Sequence, residues 1–184
     1  MPPEDRIARA ALALASERGL DAVTFGLVAA EAGVSKGAVQ HHFPARADLL
    51  RASAGLLLRH VDARVHRAFV AARDPQERLV ALLAAALPRT PDELDLAFAA
   101  TSLLVVTRHD AAVRTQYAAG LARARAAVAA EVSDLVPAVD VEAVASAVLG
   151  VAGSLREEVM LGVIGPRVAR RRLVALVGAL VARG

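Results

Sequence analysis

Helical periodicity, interrupted only by short punctuation, is what most constrains this chain. Apolar residues recur three and four apart, and the periodic segments stop at Gly19, Gly33, Pro44, Asp74-Pro75, Pro88 to Pro91, Arg108 to Asp110, Pro137 and Gly165-Pro166. Alternating β-branched patterns of strand length are nearly absent. The segments are filled with small aliphatics: 56% of the residues are hydrophobic but only 3% aromatic, so a core must form by close packing of Ala, Val and Leu. Helices packed on helices suit that composition. The pattern predicts an all-α fold of about nine helices, three short and six longer, and 184 residues suffice for a compact unit plus a small module.

Several function classes drop out. The absence of cysteine removes disulfide frameworks, thiolate zinc sites and cysteine nucleophiles, and fits a reducing cytoplasm. Met1 to Asp5 is short and acidic, unlike the basic start of a secretory signal. The longest apolar runs, Leu79 to Leu87 and Leu173 to Ala182, reach about half of the roughly 20 residues that a membrane span needs. A cytoplasmic protein without membrane contact is expected. No serine–histidine–aspartate order, carboxylate pair, phosphate loop or metal spacing stands out, so neither an enzyme nor a cofactor is expected. His60, Asp62 and His66 lie on one long helix, but the histidines are set apart in angle and read as a solvated face, not a metal site.

Charge is a weak guide to partners. The net charge is +3, yet residues 1–51 hold six basic residues against six acidic ones, so the excess lies elsewhere. Any nucleic-acid surface must therefore rest on local placement.

Such a placement occurs between Thr24 and Phe43. The first helix is expected over Pro3 to Arg18, ended by Gly19; Thr24 and Ser35 can each cap a short helix, with Gly33 supplying the left-handed turn between them. A long helix should follow from Ala45 to Ala72. Ala29 and Ala32 let the short helices cross closely, and Val28, Val34, Val39 and Phe43 can form a small core that fixes the second of them. What remains on its outer edge is polar: Ser35, Lys36, Gly37, Gln40, His41 and His42, with Ala38 between them. Gly37 would admit the backbone close to DNA, the amides at the helix start can receive a phosphate, Gln40 can pair with an adenine edge, and Lys36 can reach guanine or phosphate. Lys36 is the only lysine in the chain.

Thr24 through Leu50 resembles the DNA-binding signature of the TetR/AcrR family of bacterial transcriptional regulators, through Ala29, Ala32-Gly33-Val34-Ser35, Gly37, His42-Phe43, Arg46 and Leu49-Leu50. The resemblance implies a three-helix DNA-binding domain over residues 1–50, with its helix-turn-helix at about 26–45, and a helical dimerisation and effector domain over residues 51–184. It implies that Thr24 and the start of its helix contact the DNA backbone, that the helix from Ser35 reads the major groove, and that Arg46 touches a phosphate. Gln40 stands where the family most often has tyrosine, which favours base readout there; Arg46 replaces the usual lysine. A ligand-released repressor binding a palindromic operator as a homodimer is the implied function, with activation an open variant. The competing reading is a helical protein-interaction module that has lost DNA binding.

The larger domain carries no motif for an effector. From about Val139 to Leu161, Ala143, Ala147, Gly150 and Ser154 recur three or four apart, and Val168, Leu173, Leu176, Val177, Leu180 and Val181 recur along the final helix. These last two helices can form a four-helix dimer interface or pack within one protomer. Phe98, Thr101, Ser102, Tyr117 and Met160 combine bulk with sparse polarity and are candidates for a small-molecule effector pocket, with ordinary core as the alternative. The scarcity of aromatics favours an aliphatic effector. Arg170-Arg171-Arg172 and Arg156 with Glu157 and Glu158 read as surface charge.

Overall fold

The computed structural model describes residues 2–136 and 140–182, so the expectations placed on Met1, Pro137 and Val139 lie outside the described residues. Among those described there are nine α-helices and no strand. They are α1 (Pro3–Arg18), α2 (Phe25–Ala32), α3 (Lys36–His42), α4 (Arg46–Val70), α5 (Pro75–Ala84), α6 (Pro91–Val106), α7 (Ala111–Leu135), α8 (Val141–Met160) and α9 (Pro166–Val181), with a 3₁₀ turn at Leu20–Ala22 after α1. No helix is long and apolar enough to cross a membrane.

Local chemistry sets most boundaries. Proline occupies the first turn of α1, α5, α6 and α9, where its missing N–H would have had no helical partner anyway. Thr24, Ser35, Asp74, Thr90 and Asp140 each accept a hydrogen bond from the amide three residues on, capping α2, α3, α5, α6 and α8. Such a cap contributes about 1 kcal/mol. At ten residues, α5 is shorter than sequence periodicity suggests, because the chain tightens into turns over 85–87 before Pro88.

The helices form two compact units, Met1–His60 with Thr90–Ala119 and Val61–Arg89 with Gly120–Gly184. The first unit therefore contains α6 and the start of α7 as well as α1, α2, α3 and the first part of α4. In it α1 packs on α2 and α6, and α2 on α3. Its core joins Ile7, Ala11 and Leu14 of α1 to Val28, Val39, Phe43 and Leu49, and extends to Leu57, Ala99, Leu103 and Val113. Each fully buried Leu or Ile stabilises the unit by up to about 3 kcal/mol. Ser53, inside this core, donates to the Leu49 carbonyl at 2.8 Å and so leaves no orphaned hydroxyl.

In the second unit α5 packs on α8 and α9, and α8 on α9. Leu79, Leu83 and Leu87 meet Val128 and Val132 of α7, Val148, Ala152 and Leu155 of α8, and Leu173 and Val177 of α9. The apolar stripe of α9 thus faces its own unit. The small residues of α8 do not: Ala143, Ala147, Gly150 and Ser154 are all exposed, while Ala145, Val148, Ala152 and Leu155 are buried.

Candidate nucleic-acid interface

Two caps and one glycine shape the region from Thr24 to Phe43. Thr24 Oγ1 accepts from the Leu27 amide at 3.3 Å and starts α2. Gly33 ends it with φ 64° and ψ 41°, a left-handed conformation that costs glycine little and other residues more. Its amide returns to the Ala29 and Ala30 carbonyls, and the Val34 amide bonds the Ala29 carbonyl at 2.9 Å. Ser35 Oγ then accepts from the Ala38 amide at 3.1 Å and starts α3.

On α3 the buried residue is Val39, and Phe43 just beyond it is 6% exposed. Anchoring that side presents the other: Ser35, Lys36, Gly37, Gln40 and His41 are exposed, Ala38 is half-buried, and Thr24 is exposed at the start of α2. A Cβ built on Gly37 would meet nothing closer than Ser35 Oγ at 3.8 Å. Glycine is therefore not required there by the fold.

His42 and Arg46 turn partly inward. The half-buried His42 places Nδ1 3.5 Å from Glu4 Oε1 on α1. Arg46 Nε donates to the Val23 carbonyl at 2.9 Å, and Nη2 donates to the Leu20 carbonyl. The guanidinium thereby ties the start of α4 to the connector after α1 while keeping further N–H groups. Neither contact has a local sequence signal, since the partners lie 23 and 26 residues away.

Further along, Asp110 carries a second long-range link. Its Oδ1 accepts from the Ala112 and Val113 amides at 3.0 and 3.1 Å, starting α7, and its Oδ2 accepts from Arg51 Nε at 2.9 Å. The Val113 amide foremost, then the Arg51 guanidinium, hold its carboxyl below the usual range against the effect of burial. Arg51 also donates to Asp48 at 3.0 Å. This network joins α4 to α7 within the first unit.

The residues proposed for an effector pocket are divided between the two units. Phe98, Thr101, Ser102 and Tyr117 belong to the first unit and Met160 to the second. Phe98 and Thr101 are exposed on α6, with Thr101 Oγ1 donating to the Ala97 carbonyl at 3.1 Å. Ser102 donates to the Ala15 carbonyl at 3.3 Å, and Tyr117 to the Ala100 carbonyl at 3.3 Å. Burial pushes the Tyr117 phenol up to about 12.

Two capped helices, a left-handed glycine between them and an outward polar edge on the second define a helix-turn-helix protein. Residues 7–53 match the family model described as bacterial regulatory proteins, tetR family. The transcriptional repressor KstR of Mycolicibacterium smegmatis is 37% identical over 89 residues, which is 47% of this chain and 44% of KstR. The chain thus spans less than half the length of that curated relative. Among solved structures, a transcriptional regulator from Rhodococcus sp. RHA1 superposes with a TM-score of 0.86 at 24% identity, covering 99% of this chain and 97% of that one. Another, from Saccharomonospora viridis and solved in complex with choline, gives 0.82 at 22% identity with 95% of each chain covered. At these identities the likeness is one of fold. The family-level likeness rests on residues 7–53, whose helix-turn-helix is similar to the N-terminal domain of the tetR family of bacterial regulatory proteins.

Proposed function

We propose that this protein is a DNA-binding transcriptional regulator, a repressor that binds a palindromic operator as a homodimer and is released by a small-molecule effector. The observation that carries the reading is the exposed edge of α3, held outward by buried Val39 and Phe43. Gln40 and Lys36 are the base-reading side chains on it, His41 flanks them, and Gly37 lets the backbone come near the duplex. Thr24, Ser35, Ala38 and His42 line the same hairpin, and Arg46 reaches a phosphate with the N–H groups that the Leu20 and Val23 carbonyls leave over. In this division residues 1–50 bind DNA and residues 51–184 dimerise and sense.

Dimerisation is assigned to α8 and α9. The exposed Ala143, Ala147, Gly150 and Ser154 stripe offers a close helix contact. A two-fold pair of α3 helices suits two half-sites one helical turn apart. Phe98, Thr101, Ser102 and Tyr117, with Met160, remain the proposed effector residues. A site of action in the cytoplasm follows from the assigned role.

A genomic binding selection, followed by titration of the recovered sequence at several salt concentrations, tests the reading. A palindrome bound with steep salt dependence is the expected result, and binding without sequence preference would count against it. Gly37→Ala sharpens the test. Alanine fits the fold and favours the helix by up to about 1 kcal/mol, so thermal stability should hold or rise while operator affinity drops. Unchanged affinity would remove α3 from the interface.

A further inference from the structure

The second unit contains two cavities that meet at Ala84, Arg89 and Arg170. The larger, about 650 Å³, lies among the end of α4, α5 and α9; the other, about 510 Å³, lies at the start of α9. Both volumes are typical of small-molecule sites. Ala68, Val80, Ala81, Ala84, Ala85 and Val174 wall the larger one. Positions 81 and 84 share one face of α5, with position 85 at its C-cap, and alanine there leaves open the volume that a longer side chain would occupy.

Around this aliphatic wall the charged side chains are mostly arginines. Arg64, Arg73, Arg89 and Arg170 border the larger cavity against Asp74 and Glu77. Both carboxylates are engaged locally. Asp74 Oδ1 accepts from the Glu77 amide at 2.7 Å as the cap of α5, and Glu77 accepts from Arg73 Nη2 at 3.0 Å and Nε at 3.3 Å. The second cavity adds Arg167 to Arg89 and Arg170, beside Leu87, Pro166 and Val168, and has no carboxylate in its wall. Five guanidiniums and two carboxylates line the joined space; Arg64 gives one N–H to the Ala85 carbonyl, and Arg73 is paired with Glu77.

We propose that these joined cavities bind a small aliphatic anion, its carboxylate or phosphate at the Arg89–Arg170 junction and its hydrocarbon body against the alanine wall. Guanidiniums suit both head groups, since their paired N–H groups match two oxygens at once. A cation of the choline type would meet repulsion here. The site is distinct from Phe98, Thr101, Ser102, Tyr117 and Met160, none of which borders either cavity.

Calorimetry on the full chain with four probes of one chain length tests it: hexanoate, hexyl phosphate, hexanol and hexyltrimethylammonium, with acetate and inorganic phosphate as tail-free controls. Saturable binding of hexanoate or hexyl phosphate is expected, and comparison of those two identifies the head group. Arg170→Glu, an exposed position, should weaken that binding by about tenfold or more, and Ala81→Leu, which fills the wall, should weaken it while circular dichroism stays native. Equal binding of the neutral or cationic probe would overturn the proposal. So would tail-free anions binding as well as the hexyl compounds, or both variants binding as wild type. No DNA is present in this measurement, so its failure and failure of the DNA-binding reading are separate results.

Discussion

The two units differ most in charge. Met1–His60 with Thr90–Ala119 carries nine basic residues against ten acidic ones, whereas Val61–Arg89 with Gly120–Gly184 carries thirteen against nine. The helix-turn-helix is nevertheless in the first. On the proposed reading a summed charge misplaces the nucleic-acid surface, because a few outward side chains of α3 act while other charges pair within the unit, as Arg59 does with Asp5 at 2.7 Å and Arg51 with Asp110 at 2.9 Å. In the second unit Arg64, Arg73, Arg89 and Arg170 border an alanine-walled cavity together with Asp74 and Glu77. Their buried polar groups differ as well. Ser53 in the first unit bonds backbone carbonyls, while Glu131 in the second takes Arg78 Nε at 2.9 Å, with the Arg78 guanidinium 5.7 Å over the Phe69 ring.

The largest expected effect separates the units by their cores. Phe43→Ala should cost about 3–5 kcal/mol and Leu83→Ala about 2–5 kcal/mol by urea denaturation. Only Phe43→Ala should abolish operator binding at a temperature where both variants remain folded. If Leu83→Ala abolishes it equally, the units do not act separately. Next, Glu131→Ala should destabilise by roughly 3 kcal/mol because it strands a largely buried arginine, and a loss under about 1 kcal/mol would mean that water or Phe69 already compensates Arg78.

Smaller effects probe the charge contrast. Gln40→Ala should relax sequence preference at one base pair by about 1–3 kcal/mol with little change in salt dependence, whereas Lys36→Ala should lower the salt slope by about one if it holds a phosphate. Arg125→Ala, an exposed arginine of the second unit, should leave that slope unchanged. A slope that falls equally for Lys36 and Arg125 would locate DNA on both units.

The smallest effect is in acid. The Asp110 carboxyl titrates below its ordinary 3.8 in the folded chain, so its stabilisation is present above that value and disappears as pH falls through the lower, folded value. Asp110→Asn should therefore unfold at lower urea than wild type at pH 7. The gap should narrow as pH falls below 3.8 and through the lower, folded value. A gap independent of pH would mean that lost cap geometry, not charge, is responsible.

Much of the fold was legible in the chain because its signals are local. Proline in the first turn of four helices, the caps at Thr24 and Ser35, and the left-handed turn at Gly33 each act within a few residues. The same holds for the outward side of α3, since Val39 and Phe43 are four apart and anchor one face. The α9 stripe shows the limit: its spacing announces an apolar face but not which neighbour covers it, and here Leu173 and Val177 face α5 and α8 of their own unit.

By itself, then, the sequence determined where helices begin and end and which short helix presents a polar edge, because capping, backbone conformation and periodicity are contact chemistry between near neighbours along the chain. Only the tertiary structure decided that Arg46 clasps the Leu20 and Val23 carbonyls, that Arg51 reaches Asp110 across 59 residues, and that arginines from α4, the segments flanking α5, and α9 border one cavity. Those pairings depend on how helices dock. Docking is settled by the summed burial of many interchangeable Ala, Val and Leu side chains, and no single spacing in the chain encodes it.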